Sequence, residues 1–159
     1  MNVDFYERIW MWAAALIIAL FIAVVGVSSY AYGLHPPSHV ETIDPAKIFE
    51  DPRFASLGTP RELPDGTVEV QMVAAMFTFI PNEVRVPAGR PVRFRMTAAD
   101  VTHGFLVSGT NANTMLVPGY ISQFTTVFPK AGDYLIVCHE FCGNGHHAMY
   151  GRILVEEAR

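Results

Sequence analysis

The chain has 159 residues, a formal net charge of −4 and 51% hydrophobic side chains, with a mean hydropathy of +0.26. That length holds one domain of about 100–200 residues plus an appendage, and the composition excludes both a disordered chain and a purely soluble globule. The acidic balance argues against nucleic-acid binding, and without GxGxxG, GxxxxGK[ST] or HExxH the nucleotide and zinc-protease readings have no support.

The first predicted element is a membrane span. Residues 9–34 contain no Asp, Glu, Lys, Arg or His, and at about 1.5 Å per residue a helix of that length crosses a hydrocarbon core of about 30 Å. Trp10 and Trp12 stand at one end and Tyr30 and Tyr32 at the other, where amphipathic rings suit the two headgroup levels. Asp4 and Glu7 flank Arg8, so the start lacks the positive excess of a cleaved signal, and the apolar run is longer than the usual signal core of about 7–15 residues. An uncleaved anchor over 1–34 is expected. Arg8 against Glu41 and Asp44 places the N-terminus in the cytoplasm and the rest of the chain outside.

Residues 35–66 carry His35, Pro36, Pro37 and further prolines at 45, 52, 60 and 64. Proline fixes φ and removes a donor, so this stretch is expected to be an irregular connector with at most a short helix near Pro45–Glu50. From Thr67 onward apolar residues alternate with polar ones: Val68, Val70 and Met72, then Val84 and Val86, then Val92, Phe94 and Met96. Period two predicts half-buried strands. Further runs at Gly104–Val107, Gln123–Phe128, Tyr134–Cys138 and Arg152–Val155 are separated by turn signals such as Pro118-Gly119. About seven strands in residues 67–159 predict an all-β Greek-key sandwich or barrel.

The densest chemistry is the loop Cys138-His139-Glu140-Phe141-Cys142-Gly143-Asn144-Gly145-His146-His147-Ala148-Met149. Thiols with imidazole select copper or zinc, and a thioether favours copper. Spacing alone leaves open a Cys138–Cys142 disulfide, a zinc site using Cys138, Cys142, His146 and one more ligand, and a mononuclear blue-copper site. His103, in Asp100-Val101-Thr102-His103-Gly104-Phe105, is the expected second imidazole, since a Greek-key fold readily closes a separation of this kind.

The loop fits C-x-E-x-C-G-x-x-H-x-x-M and the upstream stretch fits D-V-x-H-G-F. Together they resemble subunit II of the haem–copper cytochrome c oxidases, over about Thr67 to Glu156, and the single span resembles the B-type branch. The resemblance implies a cupredoxin domain holding two copper ions, the binuclear CuA centre. Cys138 and Cys142 would bridge both as thiolates, with His103 and Met149 completing one copper and His146 and the backbone carbonyl of Glu140 the other. In larger members the glutamate side chain also binds magnesium against subunit I, which makes Glu140 a candidate for that role. Phe77 and Phe79 fall where the family takes up electrons from cytochrome c, although its usual tryptophan is missing here. His139 and His147 match no motif position.

Six ligands on a rigid scaffold leave no open position for substrate, which suits an electron carrier rather than a catalyst. The resemblance therefore implies the electron-input subunit of a terminal oxidase, passing electrons from cytochrome c to haem in subunit I, at a prokaryotic plasma membrane with the copper domain on the outer face. The same domain in a nitric oxide reductase of that superfamily, or a free-standing membrane-anchored copper chaperone, are the alternatives. Residues 36–159 hold 13 acidic and 10 basic side chains, too mild an excess for strong electrostatic steering.

Overall fold

A computed structural model describes residues 4–32 and 41–157, which fall into two compact units, an N-terminal helix and a β domain. Gly33 and Leu34, which end the expected span, and His35, Pro36, Pro37 and His39 of the expected connector lie outside the described residues.

The helix α1 runs Phe5–Tyr32. Asp4 starts it, its side chain accepting from the Tyr6 amide at 3.1 Å, which satisfies one of the orphan donors of the first turn. Ala, Leu and Ile dominate the interior, and the helix is long and apolar enough to cross a membrane. Its large apolar side chains stand exposed around its length, as a lipid-facing surface requires.

The β domain has ten strands: β1 Arg61–Glu62, β2 Val68–Ala75, β3 Thr78–Ile80, β4 Glu83–Pro87, β5 Pro91–Ala98, β6 His103–Val107, β7 Asn113–Leu116, β8 Ser122–Val127, β9 Gly132–Val137 and β10 Tyr150–Glu156. One sheet runs β1-β2-β5-β8 with β3 also on β2, and the other runs β4-β10-β9-β6-β7. β2 with β5 and β4 with β10 are parallel, and the other pairs are antiparallel. The seven expected strands are present. β1, β3 and β7 are additional, each too short to print a period of two on the sequence.

The inward faces meet in one core in which Phe79 meets Phe105 edge-on at 5.6 Å and Phe94 stacks on Phe124 at 5.3 Å. Offset and edge-to-face ring pairs of this kind add to the area they bury. Phe105 therefore anchors the strand that begins at His103.

One expectation needs correction. β2 is not half-buried: Glu69 and Gln71, expected to face water, are buried along with Val70 and Met72. The cause is that residues 41–66, irregular as expected, pack onto the sheet. They form 3-10 turns at Pro45–Glu50 and Pro52–Phe54 that drive Ile43, Ile48 and Phe54 against Val73 and Ile121 in a second small core. This layer also satisfies the polar face it covers. Gln71 accepts from the Ser56 amide at 3.2 Å, and Glu69 pairs with Arg61 at 2.8 Å, so burial leaves neither group without a partner.

The layer is pinned by charge. Glu41 accepts from Arg95 and, at 3.0 Å, from Arg53, whose guanidinium also pairs with Asp51 at 2.7 Å. The side-chain hydrogen bond from Arg53 holds the Asp51 carboxyl down at about 2, against an ordinary 3.8. A depressed carboxyl pKa stabilises the fold above the unfolded value and loses that contribution as pH falls through the folded one. Asp51→Asn keeps the turn cap and loses the charge. It should lower the thermal midpoint at pH 7, with the gap to the wild type narrowing between about pH 4 and about pH 2, as a calorimetric pH series would read.

Candidate metal centre

β10, β9 and β6 lie side by side in the second sheet. The start of β6, the end of β9 and the start of β10 therefore meet at one edge, because antiparallel neighbours reverse direction. His103 opens β6, Cys138 follows β9 and Met149 precedes β10. The Cys138 amide donates to the Met149 carbonyl at 3.2 Å and closes the neck of the intervening loop. At its far end His146–Ala148 form a 3-10 turn, with the His146 amide donating to the Gly143 carbonyl at 3.1 Å.

Inside this frame the expected donors converge. His103 Nδ1 lies 4.0 Å from Cys138 Sγ, Cys138 Sγ lies 3.9 Å from Cys142 Sγ, and Cys142 Sγ lies 3.6 Å from His146 Nδ1 and 3.7 Å from Met149 Sδ. The Glu140 carbonyl oxygen is 3.2 Å from Cys138 Sγ. Metal–nitrogen and metal–sulfur bonds of about 2.0–2.3 Å around a tetrahedral centre place donor atoms about 3.3–3.8 Å apart, close to these separations. Both cysteines are free. One thioether, one carbonyl, two imidazoles and two thiols exceed a four-coordinate zinc set, and the donor set fits copper.

The surroundings orient the donors. His103 is fully buried, and its Nε2 bonds Asp100 Oδ1 at 2.8 Å, so Nδ1 presents its lone pair to the sulfurs. Burial alone would raise the Asp100 carboxyl, but hydrogen bonds from His103 and from the Val101 and Met76 amides outweigh it and hold the group below its ordinary range. Burial, reinforced by the hydrogen bond with Cys138, pushes the Cys142 thiol up to about 11. Metal binding as thiolate therefore releases protons.

The remaining motif residues sort plainly. His139 and His147 are exposed. The His139 ring lies over Gly104, where a Cβ would come within 2.6 Å of its Cγ. Of the two candidate electron-uptake residues only Phe77 reaches the surface, at 36% exposure, while Phe79 is a core side chain at 1%. That corrects the expectation for Phe79, because a residue enclosed by Phe105 offers a docking partner no surface. Sequence reasoning gave Asp100 no role of its own. The clue lay within its own motif, since a carboxylate three residues before a metal histidine is a natural partner for the second ring nitrogen.

Residues 53–157 match the family model for the periplasmic domain of cytochrome c oxidase subunit II. The chain belongs to the cytochrome c oxidase subunit II family. It is 33% identical to a cytochrome c oxidase subunit 2 of Thermus thermophilus, over 96% of this chain and 92% of that protein. A second Thermus thermophilus subunit 2 is 34% identical, over 82% of this chain and 98% of its own. Among solved structures, a chain of a haem–copper terminal oxidase dimer superposes with a TM-score of 0.77 at 30% identity, covering 95% of this chain and 99% of that one. The periplasmic domain of cytochrome oxidase subunit II from Bradyrhizobium japonicum, at 22% identity and a TM-score of 0.53, covers 56% of this chain and 83% of that one and shares the fold. The expected all-β, cupredoxin-like architecture behind one apolar helix is thereby borne out. Family membership makes this chain the electron-input subunit of an oxidoreductase complex, with a copper-binding domain.

Proposed function

We propose that this chain feeds electrons into a respiratory terminal oxidase through a pair of copper ions. Cys138, Cys142, His103, His146, Met149 and the Glu140 carbonyl would hold the pair, and the route would run from cytochrome c to haem in subunit I. The observation that carries the reading is the convergence of six donor atoms at separations of 3.2–4.0 Å.

A bound copper pair supplies reversible one-electron chemistry. The chain's residues do the rest. Cys138, Cys142, Met149 and His103 are each less than a tenth exposed, so they exclude water and hold a set that changes little when its charge changes. Asp100 fixes the His103 tautomer. Phe77 and the 74%-exposed Phe141 present apolar surface beside the loop, and Phe77 is the proposed point of electron uptake. With little net charge to steer a partner, an apolar contact with the cytochrome is the consistent docking mode. For magnesium, Glu140 offers one carboxylate, so that site requires further ligands from subunit I. The helix α1 anchors the domain with the N-terminus in the cytoplasm and the coppers on the outer face of a prokaryotic plasma membrane.

The test is EPR of the copper-loaded full chain in detergent. Two coppers per chain with a seven-line hyperfine pattern are expected, and one copper with a four-line pattern overturns the reading. Met149→Leu should keep both coppers, shift the reduction potential and weaken copper affinity by no more than about 10–100-fold, the scale of a supporting ligand. Loss of all copper would refute the weak-ligand role.

A further inference from the structure

The hairpin turn between β2 and β3 is Met76–Phe77, flanked by the pair Ala75 and Thr78. Phe77 has φ 67° and is the one non-glycine residue with positive φ among the described residues. A turn that needs positive φ at its second central position is usually filled by Gly or Asn, and a bulky side chain held there signals a constraint imposed from outside. That constraint is visible in where the ring goes. A Cβ at Gly145 would lie 2.5 Å from Phe77 Cγ, and one at Gly143 would lie 3.2 Å from its Cε1 and Cζ. The ring thus lies flat across the two glycines that lead into His146. The same turn reaches the other imidazole, since the Met76 amide donates to Asp100 Oδ2 while Asp100 Oδ1 bonds His103 Nε2.

We infer that the Met76–Phe77 turn is a clamp joining the two imidazole arms, and that Phe77 is a positioning residue for the metal centre. Its ring sets the seat of His146, and its neighbour's amide sets that of His103 through Asp100. The left-handed backbone at Phe77 is retained because a glycine there, though better suited to the turn, would leave the Gly143–Gly145 segment unsupported. The inference rests on the reading of His103 and His146 as copper ligands.

The test uses the copper-loaded full chain in detergent as wild type, Phe77→Gly, Phe77→Tyr and His146→Ala. It reads copper extraction by a chelator, the paramagnetically shifted proton resonances of the ligand histidines, and the thermal midpoint of the copper-free protein. Phe77→Gly should lower the copper-free midpoint only modestly, because relief of the left-handed backbone partly offsets the lost ring packing and the looser unfolded chain. It should speed extraction at least tenfold and move the resonances of both histidines, while Phe77→Tyr, which keeps the ring, should match the wild type. Wild-type extraction and resonances in Phe77→Gly would overturn the clamp. So would faster extraction accompanied by a strongly lowered copper-free midpoint and unmoved resonances, which marks the ring as ordinary packing. His146→Ala separates the two failures: wild-type copper binding and spectrum in that variant sink the ligand reading itself, whereas their loss there alongside normal behaviour of Phe77→Gly sinks the clamp alone.

Discussion

Replacing Cys142 by serine should abolish the paired copper signal and leave at most one ion per chain. Cys142 Sγ is one of the two hubs of the site, within 3.6–3.9 Å of His146 Nδ1, Met149 Sδ and Cys138 Sγ, as Cys138 Sγ is near His103, Glu140 and Cys142. A hydroxyl is a harder and far less acidic ligand than a thiol, so it does not replace a bridging thiolate between soft metals. Partners that merely orient a ligand already cost about 10–100-fold when removed. Loss of the hub should therefore lower cytochrome c oxidation by the assembled oxidase by more than about 100-fold. The fold should survive, because oxygen for sulfur is a small change at the loop and leaves the two sheets' core intact. Metal analysis, EPR and the copper-free melting curve together check this, and a Cys142→Ser protein that keeps two coppers and a seven-line spectrum refutes the bridging assignment.

The second large effect is expected at a residue with no side chain. Gly104→Ala would place a Cβ 2.6 Å from His139 Cγ and 2.8 Å from the backbone nitrogen of Glu140. The imidazole can swing away, but the backbone nitrogen can retreat only by moving the loop. That loop segment carries Cys138, the Glu140 carbonyl and Cys142 toward the neighbouring His103. Overpacking of this kind costs about 1–3 kcal/mol, and the displaced loop should lower copper affinity by about 10–100-fold. Chemical denaturation and competition against a copper chelator read the two quantities separately. Unchanged values for both would show that β6 and the loop are less tightly apposed than they stand here.

These two cases also mark what was legible in the chain. The proposed donor set lay open because five of its six residues occupy one contiguous loop whose order is read directly, and His103 followed from its own short motif. The long strands announced themselves by alternation. What stayed hidden depends on contacts between distant segments. The alternation of β2 predicted water on the side of Glu69 and Gln71, and nothing local tells that Ser56, Leu57 and Arg61 cover it. Phe77 and Phe79 look equivalent in sequence, yet one lies on the metal loop and the other in the core, because Phe77 sits in the two-residue turn and Phe79 in the strand that follows it. Gly104 could be noted as part of a motif, but its reason, the ring and amide pressed against it, exists only once β6 meets the loop.

Burial across the centre is graded, and the gradient has a kinetic meaning. His103 is sealed beneath the sheets, Cys138 and Met149 sit at the closed neck, and His146 with its edge-on neighbour Phe141 lies toward solvent. An ion exchanging with solvent is therefore expected to meet His146 before it reaches His103.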